Sequence, residues 1–213
     1  PVWVRRAAIR PVPPFAELSA RTLTEVEDQL SEDDDAARTR LDEAFTRFEE
    51  IVDQGQAHSR YRKTLTYLLK IARATGNDPS VLLKISEYPP ELYLTADADE
   101  LHFLVGQFFY GEESLAEALT RFQAVTDKDA TLFARAKYFE GVINVAQSGL
   151  GTERNLNADK LTQAADAFKT VLRVQRDRGG TETIDRVAAD ALLSLGRLFY
   201  STRQYDVAVQ YYD

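Results

Sequence analysis

Apolar side chains recur every three to five positions from Phe15 onward, and the stretches that hold them are separated by glycine, proline or capping residues. That period belongs to helices with one buried stripe. It predicts a helix over 15–30 on Phe15, Leu18, Leu23, Val26 and Leu30. A second helix is predicted over 36–54 and a third over 59–75, with stripes built on Leu41, Ala44, Phe48 and Ile51 and on Tyr61, Leu65, Leu68, Leu69 and Ala72. Ser31 before Glu32, Asp33, Asp34 and Asp35 reads as an N-cap followed by acids that complement a helix's positive end. Gly76 reads as a C-cap. Asp78-Pro79 opens a short helix to Glu87, because aspartate caps and proline in the first turn lacks an N–H that a helix leaves unbonded there anyway. Pro89-Pro90 ends it, and the segment to Ala98 is predicted to be irregular and packed through Tyr88, Leu92, Tyr93 and Leu94. Nothing alternates with a period of two, and no Asn-Gly or Asp-Gly hairpin occurs. The fold class is therefore all-α.

The second half repeats itself. Leu104-Val105-Gly106-Gln107-Phe108-Phe109-Tyr110 has a counterpart in Ser194-Leu195-Gly196-Arg197-Leu198-Phe199-Tyr200. Twelve residues after each glycine stands an alanine, Ala118 and Ala208, and four later an aromatic, Phe122 and Tyr212. A stretched copy begins at Gly141, with Ala164, Phe168 and Val171 matching Ala118, Phe122 and Val125; its glycine-to-alanine interval is 23, so eleven residues are inserted near Ser148–Thr152. Small residues let two antiparallel helices approach closely while large ones fill the gaps, and pairs that cannot bury their faces alone stack into solenoids.

This spacing resembles the tetratricopeptide repeat family, over residues 99–131, 132–178 and 189–213. The resemblance implies a right-handed α-α superhelix of antiparallel helix pairs, preceded by a helical region over 15–98 in which Ala44, Phe48 and Ile51 suggest degenerate copies. His102, Lys137 and Leu192 stand where the family has its first tryptophan. In that family the first helix of each pair lines a concave groove. The matching positions here are Phe103, Gln107 and Tyr110, then Arg135, Tyr138 and Val142, then Leu193, Arg197 and Tyr200. Phe103, Tyr138 and Leu193 occupy places where family members that bind chaperone C-terminal carboxylates carry basic residues, which disfavours that role.

Charge and composition narrow the functional classes. The 213 residues carry 34 acids and 26 bases, a net charge of −8, so the chain's field repels nucleic acid. Residues 1–14 hold three arginines, no acid and four prolines, an extended arm; the other 199 residues hold 23 bases and 34 acids, a charge of −11. There is no cysteine and there are two histidines, His58 and His102, so thiolate sites are excluded and zinc has little to bind. His102 is expected to pack. Gly149-x-Gly151 lacks the strand and the Gly-Lys-Ser/Thr of a phosphate loop. No nucleophile elbow is present, and no run of about 18 apolar residues spans a membrane.

The expected function is a non-catalytic scaffold without cofactor or metal that binds a partner protein or peptide. The alternative is a cytosolic regulatory sensor module of a larger protein that binds a peptide or small ligand. An excess of Arg (19) over Lys (7) and 27 alanines suggest a bacterial source, and the family resemblance then favours a periplasmic or envelope-associated setting, including motility assemblies. The absence of methionine, with Pro at position 1, leads to the expectation that residues were removed upstream, and a last copy that stops within its second helix to the expectation that the chain continues beyond Asp213.

Overall fold

A computed structural model describes residues 34–55, 57–88, 93–151, 156–178 and 185–212. The predicted arm over 1–14, the helix over 15–30, the Ser31 cap and the Pro89-Pro90 stop lie outside these residues. Among the described residues there are nine helices and no strand, packed in sequence as adjacent antiparallel pairs. The chain divides into two compact units, one ending at Leu101 and one beginning at His102.

The first unit contains α1 (Asp34–Asp53), α2 (Tyr61–Ala74), α3 (Pro79–Ser86) and the start of α4 (Thr95–Gly111). The stripe of α2 is buried as the periodicity requires, with Leu65, Leu68 and Ala72 fully enclosed. Phe48 of α1 stacks on Tyr67 of α2, ring centroids 5.3 Å apart. The C-terminus of α2 closes by a Schellman motif: the Asn77 N–H donates to Ala72 O at 2.7 Å and the Gly76 N–H to Arg73 O at 3.1 Å, with Gly76 at φ +76°. At the next helix the Asp78 carboxylate accepts the Ser80 N–H at 2.9 Å and Pro79 takes the first turn, as the dipeptide predicts.

The segment before Ala98 is shorter than its irregular reading. Helix α4 begins at Thr95, and the Ala98 N–H already donates to Leu94 O at 2.9 Å. Tyr93 lies buried beneath it, its hydroxyl donating to Ile85 O at 3.2 Å, while Leu94 is exposed. The start of α4 is tied to α2 by Thr66 Oγ1 donating to Asp97 Oδ2 at 2.6 Å and by the Arg73–Glu100 ion pair. Those side-chain contacts, from residues about 30 positions away, recruit 95–98 into the helix against a local composition that reads as loop.

The second unit contains the rest of α4, then α5 (Leu115–Gln123), α6 (Ala130–Gln147), α7 (Ala158–Asp177), α8 (Arg186–Ser201) and α9 (Tyr205–Val209). Asp129, Asn157 and Asp185 cap α6, α7 and α8 by accepting backbone N–H groups of the first turn. Each repeat glycine lies under the repeat aromatic that follows it, Phe122 of α5, Phe168 of α7 and Tyr212 in the turn after α9. A Cβ built on Gly106 would stand 2.9 Å from the Phe122 ring, on Gly141 2.5 Å from Phe168, and on Gly196 2.6 Å from Tyr212. Ala118, Ala164 and Ala208 are all buried between the helices of their pairs. The spacing found in the sequence is thus a contact made three times.

The turns repeat as well. After α4 the Ser114 N–H donates to Phe109 O at 2.9 Å and the Glu113 N–H to Tyr110 O at 3.2 Å; after α8 the Gln204 N–H donates to Phe199 O at 2.8 Å and the Arg203 N–H to Tyr200 O at 3.0 Å. Glu113 and Arg203 adopt φ values of 60° and 61°, a left-handed conformation that costs a non-glycine residue about 1–2 kcal/mol. The middle pair takes up its eleven extra residues differently. Seven lengthen the connection between α6 and α7, one extends the end of α6 and three extend the start of α7. The Gly141–Phe168 contact survives all of this.

Candidate binding surface

In the second unit the first helices of successive pairs touch one another, α4 against α6 and α6 against α8. The nine groove positions therefore stand on neighbouring helices, three to a helix. On each helix they are spaced by three and four residues, so each set forms one stripe.

Their surroundings differ. Phe103 is buried, edge-on to Phe122 at 5.7 Å and to Phe139 at 6.0 Å. It belongs to the core shared by α4, α5 and α6. The Arg135 guanidinium, itself exposed, lies 4.6 Å from the centroid of the same ring and joins the first stripe to the second. Gln107 and Tyr110 are half-buried, and Tyr110 meets Phe139 edge-on at 5.2 Å. Tyr138 and Val142 are half-buried against the α6–α7–α8 core, with Tyr138 5.8 Å from Phe168. Leu193, Arg197 and Tyr200 are exposed, and Tyr200 meets the Tyr205 ring edge-on at 5.3 Å.

A feature that periodicity did not single out is a polar ladder on α6. Glu140, Asn144 and Ser148, each four residues after the last, are buried. Lys137 Nζ donates to Glu140 Oε1 at 2.7 Å, Lys160 Nζ of α7 donates to Asn144 Oδ1 at 3.0 Å, and Ser148 Oγ donates to Val145 O at 2.6 Å. Burial pushes the Glu140 carboxyl above the usual carboxylate range, against the opposing pull of Lys137. The i, i+4, i+8 interval was the available signal. Polar residues at that interval ordinarily mark a solvated face, whereas here all three are buried and α7 reaches Asn144 through Lys160.

In the first unit Glu49 accepts from Lys84 Nζ at 2.6 Å and from the Tyr88 hydroxyl at 3.4 Å. Burial, then the nearby charges of Glu49 and Asp53, push the Tyr88 phenol up to about 12. Burial also raises Tyr93. His58 lies in the turn before α2 and accepts the Arg60 N–H at Nδ1, 3.3 Å away; His102 is half-buried in α4. Among the described residues no three His, Cys, Asp or Glu side chains cluster as metal ligands, and no helix is long and apolar enough to cross a membrane.

Compared with protein-family models, curated proteins and solved structures, the chain matches none.

Proposed function

We propose that this chain is a non-catalytic, tetratricopeptide-like interaction scaffold, a right-handed superhelix in which the layer of first helices binds an extended segment of a partner protein. The observation that supports this reading most is the row of aromatic and arginine side chains on consecutive first helices. Arg135, Tyr138, Arg197 and Tyr200 all keep exposed or half-exposed surface there, and they are side-chain types that dominate binding hot spots. The helix pairs that carry them share one glycine–aromatic contact. The arginines give the stripe a positive character on an acidic body, which favours acidic, aromatic-containing peptides. The compositional bias and the resemblance favour a bacterial envelope or motility assembly as the setting.

Selection of linear peptides from a displayed random library, followed by fluorescence anisotropy on the winners, tests the reading. Enriched peptides should lose at least tenfold in affinity when Tyr138→Ala and Arg197→Ala are combined. They should also lose it with Arg135→Glu and Arg197→Glu, which alter only exposed positions. Unchanged affinity in both folded variants refutes the groove.

A further inference from the structure

The two groove arginines differ in what holds them. The Arg135 guanidinium is exposed, yet it lies 4.6 Å from the centroid of a ring, Phe103, that is 2% exposed. Arg197 is exposed with no such ring contact among the described residues. The ring under Arg135 is itself fixed. Phe122 of α5 and Phe139 of α6 meet it edge-on at 5.7 Å and 6.0 Å, and Phe139 stacks on Phe122 at 4.8 Å.

What Arg135 lacks is an acceptor. Arg38, Arg73, Arg176, Arg178 and Arg186 all stand within 4.0 Å of a carboxylate. Among the described residues no acid pairs with Arg135 and no oxygen accepts a hydrogen bond from it. The acid at its repeat position on α8, Asp190, stands 4.0 Å from Arg186 of its own helix. The Phe103 quadrupole therefore attracts the charge while the five N–H donors stay unspent. A long side chain loses rotamer freedom when it grips a ligand, and one already held over a ring loses less. The group that fits a guanidinium's planar fork is a carboxylate, which accepts two parallel N–H bonds.

We infer that Arg135 is the specificity-determining residue of the groove, reading one carboxylate of the bound segment, and that Phe103 is a positioning residue that holds the guanidinium without touching the partner. The inference rests on the groove reading. It deepens the general preference for acidic peptides by giving the selection to one arginine, so that one carboxylate counts for more than all the others. Arg197 adds to the local field but sets no register.

Decapeptides selected on the wild-type chain from a displayed random library serve as probes. Each Asp or Glu is changed in turn to Asn or Gln, the C-terminus is amidated separately, and affinity is read by fluorescence anisotropy. One acidic side chain is expected whose neutralisation costs at least tenfold on wild type and less than twofold on Arg135→Gln. The same coupled loss on amidation supports Arg135 equally and assigns the carboxylate to the chain end. Phe103→Leu should shrink the acid-against-amide affinity ratio at least threefold, and should leave it unchanged when Arg135→Gln is already present. A merely structural role would weaken both peptides alike and leave the ratio intact. An upfield ring-current shift of the Arg135 side-chain protons in NMR spectra of the wild-type chain reads the same contact without a substitution, and its absence overturns the positioning role of Phe103. Carboxylates whose removal costs the same on wild type and on Arg135→Gln overturn the inference and leave the groove standing, if the peptides still respond to Tyr138→Ala with Arg197→Ala. Peptides indifferent to that pair as well, or a library that yields none, remove the groove and this inference with it.

Discussion

Gly141→Ala is the sharpest test of why these helix pairs form. Alanine is worth about 1 kcal/mol over glycine in a helix interior, so the substitution stabilises α6 if nothing opposes it. What opposes it is the Phe168 ring, with three carbons 2.5–2.7 Å from the new methyl group. Phe168 is buried, with Tyr138 at 5.8 Å, so its ring has little room to withdraw. With carbons at 2.5–2.7 Å the overpacking falls in the upper part of its usual range, about 2–3 kcal/mol, which leaves a net loss of about 1–2 kcal/mol after the propensity gain. For a chain of this size that lowers the melting temperature by roughly 2–8 °C. Gly106→Ala meets Phe122 at 2.9–3.1 Å and should be milder. Gly196→Ala meets Tyr212, which is half exposed and can swing outward, and should be close to neutral. Gly111, with open space around it, supplies the control: Gly111→Ala should raise stability by about 0.5–1 kcal/mol. Thermal denaturation followed by circular dichroism ranks all four. A Gly141→Ala protein as stable as Gly111→Ala, or a ranking with Gly196→Ala lowest, refutes the claim that ring-on-glycine contacts set the helix spacing.

Two predictions concern titration. Glu140 has a folded-state pKa raised by burial, so its protonated form is favoured by folding; its contribution to stability improves as pH falls through that pKa and is unfavourable above it. Glu140→Gln should therefore unfold no earlier than wild type at pH 8 and should lose part of the wild-type gain between pH 8 and pH 5, as urea midpoints at the two values will show. Tyr88, pushed up to about 12, and Tyr93, raised by burial, should ionise above the ordinary phenol range in an alkaline absorbance titration. Their contribution to stability is present below the ordinary phenol pKa of about 10 and is lost as pH rises above it. Tyr93→Phe should remove one late-titrating phenol and cost about 1 kcal/mol for the bond to Ile85 O.

Most of the architecture was legible because its causes are local. The period of Leu65, Leu68, Leu69 and Ala72 fixes the buried side of α2, and Asp78-Pro79 fixes where α3 starts. The interval from Gly106 to Phe122 was readable because it records a contact between neighbouring helices. The misreading of 95–98 comes from bonds that α2 supplies through Thr66 and Arg73, and no window around Thr95 contains them. The groove positions show the same boundary. Phe103 and Leu193 share a repeat position, yet one is buried and the other exposed, because burial depends on the helix laid over the pair. The left-handed Glu113 and Arg203 gave no signal, since glycine is the usual mark of that conformation and neither is glycine. The Glu140–Asn144–Ser148 ladder was hidden for a related reason. Its polar spacing belongs to a surface, yet Glu140 stands at the repeat position that Val105 and Leu195 fill as buried apolar residues.

The connection between α6 and α7 has a use that follows from its construction. The Asn157 N–H donates to Ser148 O at 2.9 Å, so the two ends of the connection are pinned together. Lengthening a flexible loop costs only about 0.6 kcal/mol for each doubling. An insertion placed after Gly151 therefore leaves the closing bond, the glycine–aromatic contact and the packing of Leu150 on the core in place. An epitope, a protease site or a reporter domain with close termini belongs at this point of the molecule, where the fold is already arranged to carry an interruption.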